Sequence, residues 1–152
     1  MKVVSFSIFK GGTGKTTSTV NTAAALVKKG KRVLVVDLDQ QASATRYLDL
    51  EPEQSPNLYD VFMGTKPAPL AIRHTKFNID VLASHVLLAA IEEALEPGDE
   101  FKLMEILNPL KPSYDFILVD TPPGKAMLTF NGLAAADLIV IPASAELSLI
   151  HI

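Results

Sequence analysis

Residues 10–17 read Lys-Gly-Gly-Thr-Gly-Lys-Thr-Thr, and no other stretch constrains this chain as tightly. They follow an apolar run at 3–9 and open a helical pattern at 15–29, so they read as a glycine loop between a buried strand and a helix. Glycines let successive backbone N–H groups converge, and the helix N-terminus adds partial positive charge at the same point. The group such a loop holds is a phosphate. Lys15 is placed to reach the outer phosphates of a nucleotide, and the Thr16 hydroxyl to bind Mg²⁺. A glycine turn without a ligand is the plainer alternative, and the Gly-Lys-Thr ending in a strand-loop-helix context weighs against it.

Three more apolar runs without clean alternation, at 33–38, 116–119 and 138–141, predict strands covered on both faces, and 79–83 is a weaker candidate. Helical patterns lie at 15–29, 86–96, 101–107 and 127–136. This alternation predicts a doubly wound α/β fold, a mostly parallel sheet flanked by helices and joined by right-handed crossovers. The stretch 49–69 holds Pro52, Pro56, Pro67, Pro69 and Gly64, and reads as turns around one short helix. With 152 residues, 48% of them apolar, a single domain with one ordinary core is expected. Residues 142–152 look like the first turns of a further helix, so that domain is expected to be incomplete at its C-terminus; a short helix folding back on the sheet is the alternative.

Cysteine is absent, which excludes disulfides, thiolate nucleophiles and zinc-thiolate sites. His74, His85 and His151 lack ligand spacing and are expected in surface or packing roles. A net charge of -3 gives no global attraction to nucleic acid or anionic lipid. The one basic cluster, Lys28, Lys29, Lys31 and Arg32 around Gly30, could be a phosphate-backbone patch, but it reads better as a helix C-terminus complemented by cations and closed by glycine. No apolar stretch is long enough to span a bilayer, and 3–9 is too short for a signal peptide; a cytoplasmic location is expected.

Carboxylates stand at the ends of two predicted strands. Asp37 closes one and is followed by Leu38, Asp39, Gln40 and Gln41, at the sheet edge where open α/β folds bind ligands. Alternation turns Asp37 and Asp39 to the same side. Asp120 closes another and is followed by Thr121-Pro122-Pro123-Gly124; a carboxylate there can hold Mg²⁺ through water. Helix caps and polar strand ends are the plain alternatives.

The ordinary P-loop pattern carries a glycine where this chain has Phe9. Residues 10–16 instead match, at every fixed position, the deviant Walker A motif of the ParA/MinD family, which the chain resembles. Residues 37–41 are similar to the family's Asp-x-Asp-Pro-Gln element, with Gln40 in place of the usual proline, and 116–124 to its Walker B segment. The resemblance implies a P-loop ATPase that uses ATP and Mg²⁺ and forms an ATP-dependent homodimer. It implies that Lys10, Gly11, Gly12, Thr13, Gly14, Lys15, Thr16 and Thr17 bind nucleotide, and that Thr16, Asp37 and Asp120 serve the metal. Lys10, Lys15 and Asp39 become the catalytic candidates: Lys10 reaches the partner's ATP, and Asp39 orients the attacking water.

Within the family, 37–41 and 120–123 look closer to ParA/Soj-type partition ATPases than to MinD-type division-site ATPases. That implies chromosome or plasmid partitioning or related cargo positioning, with non-specific DNA and a small activating protein as partners. A biosynthetic enzyme of the dethiobiotin synthetase type and a module that holds nucleotide without hydrolysing it remain alternatives. Nitrogenase iron proteins share the loop but require a cysteine after Walker B, which this chain lacks.

Overall fold

The computed structural model describes residues 1–8, 10 and 12–143. Among them six strands form one sheet: β1 (Lys2–Phe6), β2 (Val33–Asp37), β3 (Ile72–His74), β4 (Asp80–Leu82), β5 (Phe116–Asp120) and β6 (Leu138–Val140). Their spatial order is β3-β4-β2-β5-β1-β6, and every pair is parallel except β3 with β4. The helices are α1 (Lys15–Lys28), α2 (Ser43–Tyr47), α3 (Leu58–Phe62), α4 (Ala68–Ala71), α5 (Leu88–Ala94), α6 (Lys102–Leu107) and α7 (Met127–Ala134).

The continuous apolar runs are explained by two cores, one on each face of the sheet. Val33 and Val35 of β2, with Val4, Phe6 and Leu118, pack against α1 and α2. Leu34 and Val36, with Val3, Ile117 and Val119, pack against the layer that includes α3, α5, α6 and α7. A strand covered on both sides has no polar face, so its sequence shows no alternation. The same parity puts Asp37 and Asp120 on the α1 face of the sheet, and β2 and β5 pair so that the two residues are directly opposite.

The basic cluster after α1 ends that helix. Gly30 takes φ +74, Lys31 N–H bonds the Leu26 carbonyl at 3.1 Å, and Gly30 N–H bonds that of Val27 at 2.8 Å, the pair of bonds that defines a Schellman motif. Four expectations need correction. The 49–69 stretch holds two short helices, α3 and α4, in place of one. Both α2 and the antiparallel edge strand β3 are additional to the sequence reading. Finally, β1 stops at Phe6, because the chain must turn into the phosphate loop; Phe9 lies outside the described residues, as do 144–152.

Candidate nucleotide site

The loop after β1 takes its shape from left-handed glycines. Gly12 has φ +74 and Gly14 φ +84, and a Cβ built on either meets nothing within 4 Å. Glycine is needed there for the backbone and not for lack of room. Thr13 Oγ1 closes the loop on the Lys10 carbonyl at 3.3 Å. Gly14 is the N-cap of α1 and no acidic residue stands in its first turn, which leaves the positive end of a 14-residue helix facing the loop. A cleft of about 340 Å³ opens over residues 12–17 and is closed by Asp39, Ser43, Tyr47 and Pro123. Lys15 is buried and Lys10 is exposed at the edge of the loop. Gly11 lies outside the described residues.

Asp120 joins strand to loop. Thr16 Oγ1 donates to its Oδ2 at 2.7 Å, and Thr19 Oγ1 to its Oδ1 at 3.2 Å. Burial pushes the Asp120 pKa up to about 6; the hydrogen bonds from Thr16 and Thr19 and the Lys15 charge oppose that rise, and Asp39 adds to it. Asp37, fully buried on the neighbouring strand, is pushed up to about 7 by burial and then by the Asp120 charge. Two carboxylates set side by side out of water are an anionic site in need of a cation.

Asp37 already has protein partners. Its Oδ2 accepts from Thr45 N–H and Thr45 Oγ1, both at 2.8 Å, and its Oδ1 accepts from Asp39 N–H at 3.2 Å. Ser84 extends this network: its N–H donates to Thr45 Oγ1 at 3.0 Å, and its Oγ to the Asp39 carbonyl at 2.6 Å. Asp39 is thus held through its backbone, while its carboxylate accepts from Gln41 N–H at 2.9 Å and lines the phosphate-loop cleft. Three residues of this arrangement escaped the sequence reading. Thr19 was within reach, because spacing of three on a helix puts it on the Thr16 face. Thr45 and Ser84 carried no signal: α2 was unforeseen, and Ser84 acts only through a long-range contact.

The donors here are all oxygens, the Thr16 hydroxyl in the first turn of α1 and the Asp120 and Asp37 carboxylates at the strand ends, which suits Mg²⁺. Among the described residues no group of three or more His, Cys, Asp or Glu could hold a metal ion. Phosphate oxygens and water would therefore complete the coordination of a magnesium ion here, as is usual for that ion.

A phosphate loop between a central parallel strand and the helix that follows, with an aspartate of the adjacent strand bonded to the loop's threonine, defines the P-loop nucleotide-binding class. A family model described as an AAA domain matches residues 1–150. The sporulation initiation inhibitor protein Soj of Bacillus subtilis is 38% identical over 95% of this chain and 59% of its own length. The chromosome partitioning protein ParA of Myxococcus xanthus is 34% identical over 95% of this chain and 53% of its own. A structure described as cobyrinic acid a,c-diamide synthase from Mycobacterium smegmatis, with bound ATP analog and magnesium, superposes with a TM-score of 0.90 at 33% identity, covering 94% of this chain and 60% of that one. The chain belongs to the ParA/Soj-type family of P-loop ATPases. It spans 59% and 53% of the length of those two curated relatives. No helix among the described residues is long and apolar enough to cross a membrane.

Proposed function

We infer that residues 1–152 act as the nucleotide-binding domain of an ATP-hydrolysing switch of the ParA type, which positions chromosomal, plasmid or other cargo. The observation that carries this reading is the 2.7 Å bond from Thr16 to Asp120, which joins residues 104 positions apart into one oxygen-donor site beside the phosphate loop. In it the N–H groups of residues 10–17 and the Lys15 ammonium bind the phosphates of ATP, and Thr16, Asp120 and Asp37 serve Mg²⁺. Magnesium supplies charge neutralisation at the phosphates when bound. Asp39 orients the attacking water: it shares the cleft with the loop, and its backbone is fixed by Asp37 and Ser84.

The finer steps of the reading are that ATP closes a homodimer, that Lys10 reaches the ATP of the opposite subunit, and that the closed dimer engages non-specific DNA and is switched off with the help of a small activating protein. The exposed position of Lys10 at the loop edge and the similarity to a protein named for chromosome partitioning, ParA of Myxococcus xanthus, support them. Lys15→Ala removes the buried cation from the phosphate site and is expected to abolish detectable binding of a fluorescent ATP analogue in the presence of Mg²⁺. Wild-type affinity in that variant would rule out the assigned site.

The likeness to a protein described as a diamide synthase favours a second reading, an ATP-dependent biosynthetic enzyme. The two differ in what drives turnover. A switch releases phosphate from ATP without a small-molecule co-substrate and responds to DNA, whereas a ligase or synthase turns over only with its carboxylic-acid substrate.

A further inference from the structure

Helix α7 follows the turn that leaves Asp120, and it begins without a cap of its own, since Ala126 occupies the N-cap position. Two N–H groups of its first turn, those of Met127 and Leu128, both donate to the carboxylate of Glu92: Met127 to Oε1, and Leu128 to Oε2 at 2.8 Å. Glu92 stands on α5, 35 positions earlier than Met127. A carboxylate is the charge that a helix N-terminus stabilises, and a two-pronged contact of this kind is among the stronger hydrogen-bonded arrangements. An Asp or Ser at position 126 would cap the same helix end locally, through the N–H groups of Leu128 or Thr129. It would not tie α7 to another helix.

That tie completes the anchoring of the turn at 121–126. At its start, Thr121 donates to the Phe6 carbonyl from Oγ1 at 2.8 Å and from its N–H at 3.3 Å. Next, the Pro122 carbonyl accepts from Thr129 Oγ1 at 3.2 Å. Glu92 holds the far end. Glu92 also lines, together with Asp39 and Pro123, a cleft of about 320 Å³, and these last two residues line the phosphate-loop cleft as well. The glutamate therefore borders the space on which both the water-orienting candidate and the turn face.

We propose that Glu92 is a positioning residue: by grasping the first turn of α7 it sets the 121–126 turn against the phosphate loop and Asp39, and couples α5 to the state of the nucleotide. The proposal rests on the ATPase reading above. Movement of the turn that reaches the start of α7 must either withdraw the two N–H groups from Glu92 or carry α5 along. The competing account is a helix cap that stabilises the fold and does nothing else.

Two variants of the whole protein separate the accounts. Glu92→Gln keeps the shape and one acceptor oxygen but sets an amide N–H₂ against a backbone N–H. It is expected to lower kcat about tenfold while KM for ATP stays within about twofold. It is also expected to speed amide hydrogen exchange at residues 124–126 and 39–42, in addition to Met127 and Leu128. Adding Ala126→Asp supplies a local cap without rebuilding the link to α5, so the melting temperature and the protection of Leu128 are expected to return while kcat stays low. Wild-type kcat in Glu92→Gln, or recovery of kcat together with stability in the double variant, would overturn the proposal. Wild-type protein that binds ATP with magnesium yet releases no phosphate would instead contradict the ATPase reading. Hydrogen exchange then decides on Glu92 alone: faster exchange reaching 39–42 supports the coupling, and exchange confined to Met127 and Leu128 overturns it.

Discussion

Asp37 and Asp120 sit opposite each other on β2 and β5, and their burial gives the stability of the nucleotide-free protein an unusual pH dependence. Both pKa values are raised, from 3.8 to about 7 and about 6. A carboxylate whose folded-state pKa lies above its unfolded value binds protons more tightly when folded, so the stability it contributes is complete at low pH and is lost as pH rises through the folded value. Asp99 and Asp115, held low by hydrogen bonds from Glu96 and Arg32 backbone N–H groups, act in the opposite sense and in a lower pH window, so they do not mask the effect. Urea unfolding without nucleotide or magnesium should show stability declining from about pH 4 to about pH 7, and Asp37→Asn should flatten that decline. A flat wild-type profile would contradict the burial of this pair.

Gly132 offers a second test at this scale. A Cβ there would stand 2.6 Å from Thr121 Cγ2 and 3.2 Å from Leu38 Cδ1. Thr121 cannot rotate away without giving up its Oγ1 bond to Phe6. Helix propensity alone favours Ala over Gly by about 1 kcal/mol, but overpacking against a fixed side chain costs about 1–3 kcal/mol. Gly132→Ala should therefore lower the melting temperature; a rise would mean that α7 can move away from the Walker B turn.

At the scale of elements, what could be read from the sequence was what has a local cause. The phosphate loop announces itself through glycines at φ +74 and +84, the two-faced strands through unbroken apolar runs, and the end of α1 through Lys28 and Gly30. Helix α3 is signalled in the same way, by a capping box in which Asn57 Oδ1 accepts from Tyr59 and Asp60 N–H and Asp60 accepts from Asn57 N–H. Asn57→Ala should cost about 1–2 kcal/mol, measurable by chemical denaturation, and no loss would show that α3 is held by packing alone. Elements with distant causes stayed hidden. The edge strand β3 is three residues long and only partly covered, so burial writes no pattern on it. Helix α2 starts after Ala42 at φ +52, a conformation its sequence does not advertise, and its Thr45 is fixed by Asp37 and Ser84 from two other segments. The carboxylates at the site could thus be listed from strand ends, while the hydroxyls that orient them, and the grip of Glu92 on α7, depend on tertiary contacts.

For the whole molecule, the proposed function makes the phosphate loop and Asp39 a hydrolytic site that only a second subunit completes, through Lys10. A cation added at the transferring phosphoryl group, as arginine fingers do elsewhere, is worth about 10³–10⁵ in rate. Lys10→Ala and Asp39→Ala should each be nearly inactive as pure dimers. In a mixed dimer, the Lys10→Ala subunit keeps its own Asp39 and receives an intact Lys10 from its partner, which restores one working site. The direct measurement is phosphate release from the two variants of the whole protein, alone and mixed, with heterodimer formation followed by light scattering in ATP and magnesium. Activity that reappears on mixing is the predicted result. Heterodimers that form and release phosphate no faster than the separate variants would contradict the account.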